Sequence, residues 1–252
     1  MTTQQQWVDG PFQLIATPKE NDSGSHFSVK VAVEMSLAHN ILIRGLNAIY
    51  LQGPHVKEQK DVEDFAFFCN AWVKTVHHHH SGEENVLFPE LEKFTHDENI
   101  MNENKEQHHK FLDEMEEFDR YMRESAPTAY KWENVKPKLD AFAEDLVAHL
   151  RDEIPTLLDL KKYDSDGIKK VWKKMEDAAK GDIRLPNMFD TILPMVLGCA
   201  DNKFEGGIHK FPPFPFFMPY LVDYWFANKH RGAWRFCPCD MHGTPKSLDF
   251  VQ

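Results

Sequence analysis

His77-His78-His79-His80-Ser81-Gly82-Glu83-Glu84-Asn85-Val86-Leu87-Phe88-Pro89 is the segment on which the fold turns. His79 and Glu83 stand at i, i+4, and His80 and Glu84 repeat that spacing one residue on. On a helix such pairs share a face, with Cβ atoms about 5–6 Å apart. An imidazole nitrogen and a carboxylate oxygen on adjacent turns can reach one metal ion or bridge two. The spacing recurs in His149-Leu150-Arg151-Asp152-Glu153. One such pair is a weak signal, whereas two, each on the apolar face of its own helix, are a strong one.

The periodicity around the segment places these pairs. Phe65, Phe68, Trp72, Val76, His79 and Glu83 follow one another at steps of three and four, so an apolar seam runs without a phase break into the pair. This predicts a helix over 62–87, closed or kinked by Phe88-Pro89. The in-phase register favours His79/Glu83 over His80/Glu84 as the inward pair. A first helix is predicted over 28–51, with His39, Leu42, Leu46 and Ile49 on one stripe and Gln52-Gly53-Pro54 as its stop. A third is predicted over 98–123, with Met101, Asn104, His108, Phe111, Met115, Phe118 and Met122 inward, and Ala126-Pro127 after it. A fourth is predicted over 132–161, with Val135, Leu139, Phe142, Leu146, His149, Glu153, Leu157 and Leu160 inward and a kink at Pro155 just past Glu153. The fold class is therefore all-α, an up-down-up-down four-helix bundle.

Residues 1–27 read as an N-terminal arm with turns at Gly10-Pro11 and Asn21-Asp22-Ser23-Gly24-Ser25, pinned by Phe12, Leu14 and Ile15. The bundle is expected over 28–162. Residues 163–252 are expected to form an irregular aromatic and proline-rich C-terminal extension packed on it, with short helices near 168–179 and 221–229. Asp164-Ser165-Asp166-Gly167 lacks the further ligands of a calcium loop and reads as a polar turn.

The net charge of −11 argues against nucleic acid and anionic membrane surfaces as partners. There is no apolar run of membrane-spanning length and no signal-like N-terminus. The four scattered cysteines do not form a disulfide framework, so a cytoplasmic protein with reduced thiols is expected. Cys237, Cys239 and His242 lack a full zinc ligand set and read as a packed loop.

His39, His79, Glu83, His108, His149 and Glu153 thus converge on core stripes of one bundle. A lone histidine on an apolar face is usually a satisfied core residue. Four of them with two glutamates are not, because burying unpartnered carboxylates costs several kcal/mol each. A divalent metal, Zn2+ or Fe, with one or two ions per chain, is the expected cofactor.

The order His39, His79-x-x-x-Glu83-Glu84-Asn85-Val86-Leu87-Phe88-Pro89, His108, His149-x-x-x-Glu153 resembles the hemerythrin-like cation-binding domain named for its His-His-Glu motif, over about residues 30–160. The resemblance implies a non-haem, usually dinuclear centre. In it Glu83 and Glu153 would bridge, His39 and His79 would serve one metal, and His108 and His149 the other. The oxygen-carrying members place a further histidine where this chain has Asn104. That leaves one metal short of a ligand, open to water or substrate or bound only weakly, unless His80 or Glu84 substitutes. Reversible oxygen carriage is accordingly disfavoured. Glu83, Glu84 and Asn104 are the candidate catalytic groups. The whole chain is also similar to fungal hemerythrin-like proteins that carry such a tail, several attached to secondary metabolism. That similarity implies a small-molecule aromatic substrate and a non-redox ring contraction of a benzodiazepinedione epoxide to a quinolone, with loss of methyl isocyanate. The alternative is a di-iron protein of oxygen or iron sensing, carriage or storage.

Overall fold

A computed structural model describes residues 7–19, 26–124, 126–181 and 188–251. The expected turn at 21–25 lies outside these residues. Helix α1 spans Phe27–Gln52 and α2 spans Gln59–Gly82. A π-helical turn, Glu83–Leu87, joins α2 to α3, Phe88–Thr95. Then come α4, Asn102–Glu124, and a short α5, Ala126–Ala129. They are followed by α6, Trp132–Asp140, and α7, Ala143–Asp159. α1 packs on α7 and α2, and α4 packs on α2 and α7, which closes the four-helix bundle. No β-strand is present among the described residues.

The alternation of direction can be read from the core. One apolar cluster takes Ile41–Ile49 of α1, Val62–Val76 of α2, Phe111–Met122 of α4 and Phe142–Leu150 near α7. A second takes Val31–Met35, Leu87–Leu91, Met101 and Ile154–Leu160. Successive long helices therefore run between the clusters in opposite senses. The histidine and glutamate positions fall between the two on every helix, forming a polar layer across the bundle.

Three expectations change. The helix expected to close or kink at Phe88-Pro89 does not close there but runs on to Thr95, because Pro89 falls in the first turn of α3, where its missing N–H is no loss. The fourth helix is interrupted at Ala141-Phe142, where Phe142 leaves helical geometry (φ −129°, ψ −17°), and Pro155 lies inside α7, as expected. The C-terminal region is more helical than expected. Its α8, Ser165–Gly181, starts at the Asp164 turn, whose carboxylate accepts the Gly167 N–H at 2.7 Å. α8 packs on α1, α2, α3 and the π turn. A π turn, Met188–Ile192, leads into α9, Leu193–Cys199. Helix α10, Met218–Leu221, continues as helical turns to His230. Buried side chains of this region, from Met188 to Leu248, belong to the larger cluster, so it shares the bundle's core.

The N-terminal arm is stitched along α1 by two buried asparagines. The Asn47 amide donates to the carbonyls of Val8 (2.8 Å) and Phe12 (2.7 Å), and its oxygen accepts the Phe12 N–H. Asn40 makes the same reciprocal pair with Ile15 (2.8 and 2.7 Å). At Gly45 the bundle helices approach closely: a Cβ there would lie 2.4 Å from Trp72 Cδ1. No helix among the described residues is long and apolar enough to cross a membrane. The four cysteines are free and buried.

Candidate metal centre

The polar layer gathers side chains from every long helix. α1 supplies His39, the last turn of α2 supplies His79 and His80, and Glu83 opens the π turn. α4 supplies His108, and α7 supplies His149 and Glu153. Their donor atoms form two groups, His39–His79–Glu83–Glu153 and His80–Glu83–His108–His149, with all atoms of a group within 4.8 Å of one another. Glu83 belongs to both. One of its oxygens lies 3.0 Å from His79 Nε2, and the other 3.6 Å from His108 Nε2.

Outer partners aim the rings. The His39 Nδ1–H donates to the Leu150 carbonyl at 2.6 Å, His108 Nδ1 pairs with Glu84 Oε1 at 2.6 Å, and His149 Nδ1 with Gln107 Oε1 at 3.2 Å. Protons on those Nδ1 atoms leave the Nε2 lone pairs facing the centre. His108 Nε2 and His149 Nε2 then oppose each other at 2.9 Å. Two lone pairs repel at that distance unless a cation lies between them. Donors about 2.0–2.1 Å from a metal ion stand roughly 3 Å apart, the spacing seen here.

The remaining atoms point the same way. Both oxygens of Glu83, both of Glu153 and Nε2 of His80 are buried without a hydrogen-bond partner. Burial disfavours charge on Glu83, yet the neighbouring His79 and His39 hold its carboxyl well below the usual range. Burial, and then the charge of Glu83, push Glu153 up to about 7. Burial opposes charge on His39, but contact with Glu153 and Glu83 raises it to about 9. Burial lowers His80 and His149, and the other imidazoles add to the effect. These residues fit divalent cations, because one in each group would give the orphaned atoms of Glu83, Glu153 and His80 a partner.

The six predicted ligands are thus brought together, with two differences. His80 joins them, in the group with Glu83, His108 and His149. The seam argument chose between His79 and His80, but two adjacent residues about 100° apart can flank an interior layer thick enough for two ions. Glu153 belongs only to the group of His39, His79 and Glu83, and lies 3.2 Å from His39 Nε2. Glu84 is outside both groups, on the rim of His108. Asn104 is buried one turn before His108, and its Oδ1 has no partner. His109 is exposed, and His242 lies 3.4 Å from Asp223. No cysteine joins either donor group among the described residues.

A cavity of about 730 Å³ reaches the centre at His79. Its walls come from α1, α2, the π turn, α8, α9 and the Phe211-Pro212 segment. His79 is the most exposed of the donor residues, with its side chain 14% exposed. The extension therefore contributes Ile192, Val196 and Phe211 to this wall, whereas Phe216, Tyr224 and Trp225 stand out in solvent.

Residues 32–160 match the family described as hemerythrin HHE cation binding domain. The chain belongs to this family. The matched segment contains all seven donor residues of the two groups. Beyond the HHE domain, the whole chain is 44% identical over 248 residues to "Dimeric xanthone biosynthesis cluster protein R11" from Cryptosporiopsis sp. (strain 8999), covering 97% of this chain and 93% of that protein. The likeness therefore includes the tail that follows the HHE domain. No solved structure matches the chain.

Proposed function

We propose that the protein is a metal-dependent enzyme of fungal secondary metabolism that acts on a small aromatic molecule held in the cavity beside His79. The observation that carries this reading is the cavity itself. A carrier or storage protein needs a centre, but not a largely apolar chamber of about 730 Å³ built by a C-terminal region and opening on one ligand. The relative, by its name a member of a xanthone biosynthesis cluster, supports the same class of role.

His39, His79, Glu83 and Glu153 would hold one ion, and His80, Glu83, His108 and His149 a second. A bound divalent cation would supply Lewis acidity toward a carbonyl, phenol or epoxide oxygen of the substrate. The protein's own groups do the rest. Leu150, Glu84 and Gln107 fix the imidazole tautomers. Apolar side chains of α1, α8 and α9 exclude water around the reacting molecule. Asn104 Oδ1 offers a buried acceptor one turn before His108. The cyclopenase-type ring contraction of a benzodiazepinedione epoxide is the most specific form of this reading, and it rests on the likeness of the whole chain.

One observation favours a second reading. Four protein donors around each position would fill a tetrahedral zinc, whereas an octahedral iron would keep positions for an exogenous ligand. Iron would bring oxygen chemistry or sensing.

Elemental analysis with a visible spectrum separates the two, followed by anaerobic turnover of a panel containing the benzodiazepinedione epoxide and xanthone-type phenols. A colourless zinc protein that turns over a panel member without oxygen supports the first reading. A coloured iron protein active only with oxygen, or inactive but responsive to it, supports the second. Absence of metal from protein purified without chelators would overturn both.

A further inference from the structure

The cavity beside His79 has a marked charge asymmetry. Its described lining contains Lys74, His77, His78 and His79 but no aspartate or glutamate, in a chain with 40 acidic and 29 basic residues. Lys74, His78, Ser81 and Asn85 succeed one another at steps of three and four along α2 and into the π turn. They form one polar stripe, with His77 beside it. The opposite wall is apolar, built by Ile41, Leu42, Ile192, Val196, Phe211 and Pro212. A flat ring system can lie on that wall, and an oxygen group at its edge then meets the stripe.

A protein of net charge −11 repels anions at long range, and a described lining that holds the exposed Lys74 but no acid offsets that repulsion locally. A neutral ligand would need no such offset, and a cationic one would meet like charge. We propose that the cavity binds an aromatic anion, a carboxylate or phenolate, with the Lys74 ammonium as its charge partner and its ring against Phe211 and Ile41. This rests on the cavity being the substrate site and not on which metal is bound, and it favours an anionic substrate over the neutral benzodiazepinedione epoxide.

The test uses the full chain as purified, with its metal content measured in every sample. Fluorescence titration compares 2-naphthalenesulfonate, a planar anion and a poor metal ligand, with its neutral N,N-dimethylsulfonamide. We expect the sulfonate to bind about tenfold or more tightly than the neutral probe, the scale of one hydrogen bond to a charged group. Lys74→Ala should remove that preference at unchanged metal content, and Lys74→Arg should keep most of it. Ala178→Trp, on the half-buried side of α8, should block both probes by filling the chamber. Equal affinities for the two probes would overturn the proposal. So would a preference that survives Lys74→Ala. Binding unaffected by Ala178→Trp would place the probe elsewhere, such as the exposed aromatics near Trp225, and would overturn it equally. Because Lys74 is no metal ligand, a metal-free protein that still prefers the anion would overturn the proposed function and leave this proposal standing.

Discussion

Glu83 is the residue that makes two donor groups into one centre, with an oxygen toward each. Replacing it by glutamine should lower metal content at both positions, whereas Glu153→Gln should spare the His80–His108–His149 side. Elemental analysis of the two variants checks this, and equal losses would refute the asymmetry. Glu84 has a different role, holding His108 Nδ1. Removing such an outer carboxylate typically costs about 10–100-fold in metal affinity, so Glu84→Gln should weaken competition against a chromophoric chelator by that order. Unchanged affinity with lost turnover would instead assign Glu84 to proton transfer. At this scale the sequence was informative where a donor interrupts an apolar stripe, as His39, His108, His149 and Glu153 do. It was ambiguous in the histidine run, because a stripe argument admits one residue per turn and this layer takes two, His79 and His80.

The long helices were legible from three- and four-residue spacing, since packing and periodicity have the same cause. The π turn was not, because it shifts phase by one residue without any signature residue type. It falls at Glu83, as π turns often do at functional sites, and lets Glu83 enter the layer while Glu84 reaches α4. The interruption at Ala141-Phe142 was equally silent, since Phe142 stays on the apolar stripe. Two elements invite tests of stability. Asn47→Ala deprives buried carbonyls of Val8 and Phe12 of their donor and should cost about 1–3 kcal/mol in urea unfolding. Gly45→Ala pushes a methyl into Trp72, whose indole N–H donates to the Leu42 carbonyl at 2.9 Å and so resists moving. Overpacking of this kind costs about 1–3 kcal/mol. A midpoint unchanged in both variants would mean that arm and helix contact are dispensable.

On the scale of the molecule, the C-terminal region was read correctly as packed on the bundle. Its detail was hidden, because proline- and phenylalanine-rich sequence has no period to reveal which side chains face in. Phe211 lines the cavity, while Phe216 is 86% exposed. Metal removal should be felt by the whole fold. A ligand present at 100 times its Kd stabilises by about 2.7 kcal/mol. For a chain of this size each kcal/mol is worth about 2–4 °C in Tm. Chelator-stripped protein should therefore melt roughly 5–10 °C lower by calorimetry, and readdition of the native metal should restore it. No change in Tm would separate the centre from stability.

The two apolar clusters with a polar layer between them have a consequence in the cell. The seam joining them holds two carboxylates and five imidazoles, and buried atoms of Glu83, Glu153 and His80 have no hydrogen-bond partner there, which leaves a bound cation to satisfy them. Quality control would meet an opened waist in metal-starved cells. The protein's abundance, and not only its activity, should then follow metal supply, with its half-life shortening before any change in its messenger.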